Sequence, residues 1–300
     1  MSDVPTDETP AGTAAARPMR AALLINPAAG SARLDHTGIG GLTTALGEAG
    51  YDLAIPPQPE RPLDAQLDAA LEAQPDVVFV IGGDGTIRAV AERLVGRDIT
   101  LGILPGGTMN RLAARLGLPG DPLQAARSLA GAMAEPLAHG ALNGRVFLYQ
   151  SIVGRTSRLV RFREMQRGTG IAGWLPLIRA ALRAVARPPR RALRLRVNGR
   201  RLRADVAVVT LPVPGDEPHF QVDAVKRGGV LRGLRQGWRW IRGRLAGDQG
   251  VTTFHRPYLA VQGVDRRLRV TLDGEQHLLT PPLRFRLRPG SLRVLRPARG

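Results

Sequence analysis

The chain has 300 residues, 43% of them hydrophobic, no cysteine, and a formal charge of +18. The cysteine count excludes disulfides, thiolate nucleophiles and Cys-ligated metals, and no apolar run is long enough to cross a bilayer as a helix. Lys226 is the only lysine, and 22 Lys/Arg against 5 Asp/Glu lie between Arg155 and Arg244, a field that attracts polyanions such as nucleic acid, an anionic membrane face or phosphorylated ligands.

Residues 1–18 are acidic, small and Pro-rich. They lack the basic start and apolar middle of a signal peptide and are expected to be a disordered leader of a cytoplasmic protein. "RAALLINPAAG" (20–30) is a short apolar strand ending in a turn, and "TGIGGLTTALGEAG" (37–50) has weak helical spacing closed by a glycine. "YDLAIPP" (51–57) suits a strand, and "RPLDAQLDAALEAQ" (61–74) puts Leu63, Leu67, Ala70 and Leu71 on one helical face. "PDVVFVIGG" (75–83) reads as a fully buried strand, "TIRAVAERLVG" (86–96) as a helix stopped by glycine, and "ITLGILPGG" (99–107) as another strand. "NRLAARLGLP" (110–119) and "DPLQAARSLAGA" (121–132) are helical, with Asp121 as N-cap and Pro122 in the first turn of the second. Such alternation predicts a doubly wound parallel sheet, with ligands at the carboxyl ends of its strands.

After a boundary near 133–140 the period changes to two. "GALNGRVFLYQSIVG" (140–154), "RALRLRVNGRRLRADVAVVTL" (191–211) and "RRLRVTLDGEQHLLTPPLRFRL" (266–287) each carry Asn-Gly or Asp-Gly between alternating residues, the choice for a tight hairpin turn. "PLRFRLRPGSLRVLRP" adds two more strands. The expected architecture is a leader (1–18), an α/β domain (19–135) and an antiparallel all-β sandwich (136–300). Helical stretches interrupt the sandwich at 171–186 and near 230–245. Both set Trp and Ile among arginines, which suits an interfacial segment on anionic lipid. The same apolar face of 171–186 also suits packing on the β domain.

Three turns end strands of the first domain: "INPAAGSAR", "IGGDGTIR" and "LPGGTMNR". Their glycines allow positive φ and close backbone approach to a ligand. N–H groups at helix starts bind phosphate well, so three such turns together predict a nucleotide phosphate site. There is no G-x-x-x-x-G-K-[ST] loop, and no G-x-G-x-x-G follows the first strand, so the two commonest nucleotide motifs are absent. Asp84, a carboxylate among phosphates, is read as a Mg²⁺ or water-network ligand, or as an organiser of its own turn. The five histidines have no mutual spacing suited to zinc.

"VIGGDGTIRAVAERL", preceded by "INPAAG" and followed by "LGILPGGTMNRLAARLGLPGDP", resembles the diacylglycerol kinase catalytic domain of bacterial lipid kinases and, more distantly, of sphingosine and ceramide kinases. The resemblance is strong over 21–135 and weaker onward to "VTLDGEQ". It implies an ATP-binding α/β domain, a lipid-binding β sandwich and a cleft between them, with Mg²⁺ on Asp84. ATP phosphates would sit on Gly82, Gly83, Asp84, Gly85 and Thr86. Gly107, Thr108 and Asn110 would contribute from the next turn, with Asn26 and Gly30 shaping the first. The family assigns the Glu of Asp-Gly-Glu, here Glu275, as the base that takes the lipid hydroxyl proton; hairpin position alone would leave it a turn residue. The acceptor would be diacylglycerol or a related lipid alcohol, met peripherally at the inner membrane face, with no specific nucleic acid.

The chain departs from the family pattern in four places, one of them the turn "SIVGRTS", which replaces a smaller, less basic one. Arg111 replaces the acid after Asn110, "GDEPHFQVDAV" stands where some members hold a structural Mg²⁺, and the threonine expected after the second strand is missing. Two alternatives follow. An NAD-kinase-like enzyme would share the Gly-Gly-Asp-Gly-Thr turn, although no Asn-Glu dipeptide is present. A binding module for anionic lipid or nucleic acid could keep the fold without the chemistry.

Overall fold

The computed structural model describes residues 18–26, 36–154, 193–197, 200–212, 216–226, 248, 250–263 and 265–298. The leader up to residue 17, Gly30, the Asn198-Gly199 turn and the stretches 171–186 and 230–245 lie outside the described residues. The first layer is the parallel set β1 (Met19–Ile25), β2 (Tyr51–Leu53), β3 (Val77–Gly82) and β4 (Thr100–Pro105), ordered β2-β1-β3-β4. All six residues of β3 and all six of β4 are buried, as continuous apolar runs in a covered parallel sheet must be.

Helices α1 (His36–Glu48), α2 (Leu63–Glu72), α3 (Asp84–Leu94), α4 (Arg111–Arg115) and α5 (Pro122–Ser128) connect these strands and follow them. The chain leaves β1 in one direction to reach β2, then crosses back to β3. Right-handed crossovers therefore put α1 on one face and α2 and α3 on the other. Contacts agree: α1 packs on α5, and Arg93 of α3 bonds to Asp68 of α2 at 2.7 Å. The reversal lies between β1 and β3, where open α/β sheets leave a crevice for ligands. Asp121 caps α5 as the sequence suggests, accepting the Gln124 N–H at 2.8 Å.

Phe79 of β3 sits beside Gly102 of β4 in register. A Cβ at Gly102 would collide with the Phe79 ring. Gly102→Ala is therefore expected to cost about 1–3 kcal/mol through overpacking, read as a lower melting temperature. An unchanged melting temperature would mean that the ring has room to move.

The second layer is a sandwich. Strands β7 (Gln150–Gly154), β10 (Val206–Thr210), β11 (Phe220–Val225), β12 (Val251–Arg256), β14 (Leu268–Leu272) and β15 (Glu275–Leu279) form an antiparallel sheet ordered β12-β11-β10-β7-β14-β15. Facing it are β5 (Met133–Leu142), β6 (Arg145–Phe147), β8 (Leu193–Val197), β9 (Arg200–Ala204), β13 (Tyr258–Gln262) and the first half of β16 (Leu283–Arg296). The alternate residues of both sheets meet in one core, where Phe147 stacks on Phe220 (5.8 Å) and meets Phe285 edge-on (6.1 Å). The Asn143-Gly144 and Asp273-Gly274 turns take positive φ at both residues (47° and 90°; 48° and 101°), the tight-hairpin geometry their sequence predicts.

One expectation is corrected. Residues 282–297 form not two strands but one, β16, which crosses from the sandwich to the first layer. β5 pairs with it along both halves, and a bulge between Arg288 and Leu292, with Gly290 at φ 67°, absorbs the Pro289-Gly290 step without ending the strand. Leu283, Phe285 and Leu287 fill the sandwich core, whereas Leu292, Val294 and Leu295 fill the first core and Arg293 pairs with Thr100 of β4 in parallel.

The outer face of the sheet formed by β16, β13, β8 and β9 is crowded with like charge. Arg194 lies opposite Arg203, and Arg196 opposite Arg201. Ala260 links Arg196 to Arg284, and Tyr258 faces Arg286. These arginines are exposed. Like charges directly opposite in a sheet are destabilising.

Candidate functional site

Two of the three glycine turns are described, and they touch backbone to backbone. Gly106 N–H donates to the Gly82 carbonyl at 2.9 Å. A Cβ on Gly107 would collide with the Gly83 Cα, and one on Gly82 would lie 2.6 Å from the Thr86 Cβ. None of Gly82, Gly83, Gly85 or Gly107 has positive φ; that geometry falls instead to Asn110, at φ 45°. The expectation that these glycines serve positive φ is thus corrected. Space is what requires them: a side chain on Gly107 would strike the neighbouring turn at Gly83, one on Gly82 would strike Thr86 of its own turn, and one on Gly85 would strike Glu275. Asn110 ties its own turn, its Oδ1 accepting the Gly107 N–H at 2.9 Å.

The crevice between β1 and β3 is closed by a side-chain bond. Asn26 Nδ2 donates to Thr86 Oγ1 at 2.7 Å, and the Asn26 N–H donates to the Ile81 carbonyl at 3.3 Å. Gly83 is the N-cap of α3, in extended conformation, and has no side chain of its own to cap the first N–H groups. The start of α3, an amide-rich and electropositive helix end, therefore opens directly onto the crevice.

Gly83, Asp84, Thr108, Met109 and Arg111 form one wall of a cleft of about 250 Å³; Tyr149, Gln150, Ile152, Thr271, Asp273 and Gly274 form the other. Two carboxylates meet there. Asp84 accepts the Leu112 N–H at 3.3 Å, so the first turn of α3 also caps α4. Burial raises the Asp84 pKa, against the backbone N–H groups of Arg111 and Leu112 and the Arg111 charge, which lower it. Asp273 accepts three backbone N–H groups: Leu148 at 2.6 Å, Tyr149 at 2.8 Å and Gln150 at 2.9 Å. Burial nevertheless outweighs those three donors and, with a smaller contribution from the Asp84 charge, pushes its carboxyl up to about 6.

A carboxyl whose folded pKa is raised adds stability that is complete below its unfolded value of about 3.9 and is lost as pH rises through about 6. Asn is neutral throughout and provides the reference. The wild-type advantage in melting temperature over Asp273→Asn should shrink between pH 4 and pH 7. An advantage that grows over that range would mean that the three N–H donors outweigh burial.

The two layers are clamped on either side of the cleft. Arg115 Nη2 donates to the Leu211 carbonyl at 2.8 Å and also to that of Pro212, while the Arg111 and Arg115 guanidinium groups lie 5.2 and 5.8 Å from the Tyr149 ring centre. On the other side Glu275, first residue of β15, reaches across to α3. Its Oε2 accepts from Arg88 Nη2, and its Oε1 lies so close to Gly85 that a Cβ there would collide with it. Gly85 thus makes room for the Glu275 carboxylate.

The structure therefore gathers Asn26, Gly82, Gly83, Asp84, Gly85, Thr86, Gly107, Thr108, Asn110 and Glu275 around one crevice. Arg88, Tyr149 and the carboxylate of Asp273 escaped the sequence reading. The usable signal for Arg88 was an arginine among Ile87, Val90 and Ala91 on a buried helical face.

Residues 20–142 match the family model described as the diacylglycerol kinase catalytic domain. A Pseudomonas aeruginosa (strain UCBPP-PA14) protein named "Probable lipid kinase YegS-like" is 40% identical over 116 residues, which is 37% of this chain and 38% of that one. A Bacillus subtilis (strain 168) protein named "Diacylglycerol kinase" is 39% identical over 98 residues, 32% of each. The chain thus spans about a third of the length of these two curated relatives, 38% and 32%. A crystal structure of a diacylglycerol kinase from Bacillus anthracis str. Sterne superposes with a TM-score of 0.68 at 20% identity, covering 92% of this chain and 96% of that one. The shared fold thus extends through both layers.

Proposed function

We propose, from the match of residues 20–142 to the diacylglycerol kinase catalytic domain, that the chain is an ATP-dependent lipid kinase that phosphorylates a hydroxyl of diacylglycerol or a related lipid. One observation carries the reading: Glu275, on the sandwich, holds its carboxylate over Gly85, at the glycine turn of the other layer. That placement supports a reading in which a base on one layer serves a phosphate site on the other. In this reading ATP phosphates rest on the start of α3, Gly83 to Thr86, with Gly107, Thr108 and Asn110 beside them and the Asn26–Thr86 bond fixing the crevice floor. The lipid hydroxyl oxygen bonds to the γ-phosphorus as the bond to the β,γ-bridging oxygen breaks. The electron pair leaves with ADP, and the hydroxyl proton passes to Glu275.

The donor set suits a nucleotide-bound Mg²⁺. Among the described residues no three acidic or histidine side chains gather as a cage, but Asp84 and Asp273 face one cleft and repel each other. Mg²⁺ commonly takes one or two carboxylates plus substrate phosphates. Asp84 would be its ligand, and the ion would neutralise charge on the triphosphate. Phosphate transfer from γ-labelled ATP to a lipid panel, with and without Mg²⁺, tests the proposal; no transfer to any lipid alcohol would overturn it.

Among the described residues no helix is long and apolar enough to cross a membrane. We expect binding to vesicles containing anionic lipid that weakens with salt, because exposed charge is screened beyond about 8 Å at physiological ionic strength. Each arginine near such a surface adds about 1 kcal/mol. Changing Arg194, Arg196, Arg201 and Arg203 together to Gln should weaken binding if the sheet face docks. Unchanged binding would place docking elsewhere on the chain. Equal binding to neutral vesicles at low and high salt would point to apolar insertion alone.

A further inference from the structure

Arg88 lies on α3, one turn beyond Asp84, and is buried, with 8% of its surface exposed. A buried guanidinium is costly unless it is paired. Its Nη1 donates to Glu92 at 3.3 Å, one turn further along the helix, and its Nη2 donates to Glu275 Oε2 across the layer boundary. Glu92 therefore braces the guanidinium from its own helix while Nη2 grips a side chain 187 positions away in sequence.

The two oxygens of Glu275 are not equivalent. Oε2 is held by Arg88, and His277 Nε2 stands 3.9 Å from it, too far for a hydrogen bond. Burial, together with the Arg88 and Arg145 charges, lowers the His277 pKa against the Glu275 and Glu92 charges, which disfavours a second cationic partner for the carboxylate. Oε1 has no hydrogen-bond partner among the described residues and rests against Gly85 in the phosphate turn. The Glu275 side chain remains 46% exposed, which leaves it open to an incoming group.

We propose that Arg88 is the positioning residue of the reaction: by fixing Oε2 of Glu275 it aims Oε1 at the turn where the γ-phosphate and the attacking hydroxyl meet. This rests on Glu275 acting as the base. A carboxylate released from Arg88 would swing about the end of a flexible side chain, and misplacement by about 1 Å can cost on the order of 10²-fold in rate. Arg88 does not touch the reacting atoms and acts through Glu275 alone.

The test is a double-mutant cycle on the full chain, with phosphate transfer to a lipid acceptor as readout. Arg88→Met should lower kcat about 10²-fold with little change in KM for ATP. Arg88→Lys, which keeps the charge but not the fork, should recover part of the loss and guards against a Met variant that does not fold. In a Glu275→Gln background, Arg88→Met should cost nothing further. Normal kcat in both Arg88 variants overturns the proposal. So do losses that add to that of Glu275→Gln, or a loss seen mainly in KM for ATP, since Arg88 would then act on the nucleotide. A Glu275→Gln variant with full kcat is a separate result: it overturns the base assignment itself, and this inference with it.

Discussion

Asp84→Asn is expected to abolish phosphoryl transfer while leaving the fold intact. The side chains are nearly isosteric, and the Asn carbonyl can still accept the Leu112 N–H that ties α3 to α4. What is lost is the negative charge at the mouth of the electropositive turn, the one suited to hold a cation against the triphosphate. A second readout checks that the charge was there. The Asp84 charge helps to raise the Asp273 pKa, so removing it should let Asp273 titrate lower and should narrow the pH window of its stability term. A variant with unchanged melting temperature, a lowered Asp273 transition and no turnover supports the metal role. Wild-type turnover would sink the nucleotide-site reading.

Glu275→Gln should lower kcat by about 10²–10⁴-fold, the usual range for a positioned general base. A lipid alcohol is far too weak an acid to ionise at neutral pH, so its proton must be taken as the bond to phosphorus forms. Gln keeps the shape, and its carbonyl can still accept from Arg88, but it cannot accept that proton. ATP affinity should change little, because the phosphate turns belong to the other layer and Gln fills the same space against Gly85. Full kcat would leave Glu275 a clamp between layers. Failed ATP binding would mean that the clamp, rather than the base, is its contribution.

Much of this molecule is local in origin and could be read from the chain. The alternation of apolar runs with helical stretches is enough for β1 to β4 and their helices, because a strand buried on both faces must be apolar throughout and a covering helix must be apolar on one side. The Asp121 cap and the Asn-Gly and Asp-Gly turns follow from the conformations those residues tolerate. The Gly-Gly-Asp-Gly-Thr turn could be marked as a site for a similar reason: glycine and a carboxylate at the end of a buried strand have few structural uses.

What escaped the sequence depends on pairs far apart in it. Residues 283–296 look like two strands because Pro289-Gly290 is a strong local break; only β5, lying alongside both halves, makes them one strand shared by two cores. The same holds for Asp273, which a hairpin reading leaves as a turn residue. Its carboxylate gathers the N–H groups of residues 148–150, more than 120 positions away.

By itself, then, the sequence determined the two architectures, the turns and the glycine-rich strand ends, since backbone conformation and hydrophobic period are set within a few residues. Only the tertiary structure decided why the glycines are needed and which arginine meets Glu275. The first is a matter of two turns pressed together at Gly83 and Gly107, and the second of one buried guanidinium that had to find a carboxylate across the layer boundary. Steric exclusion and charge pairing act through space, and no spacing along the chain records the distance between Arg88 and Glu275 once it is folded.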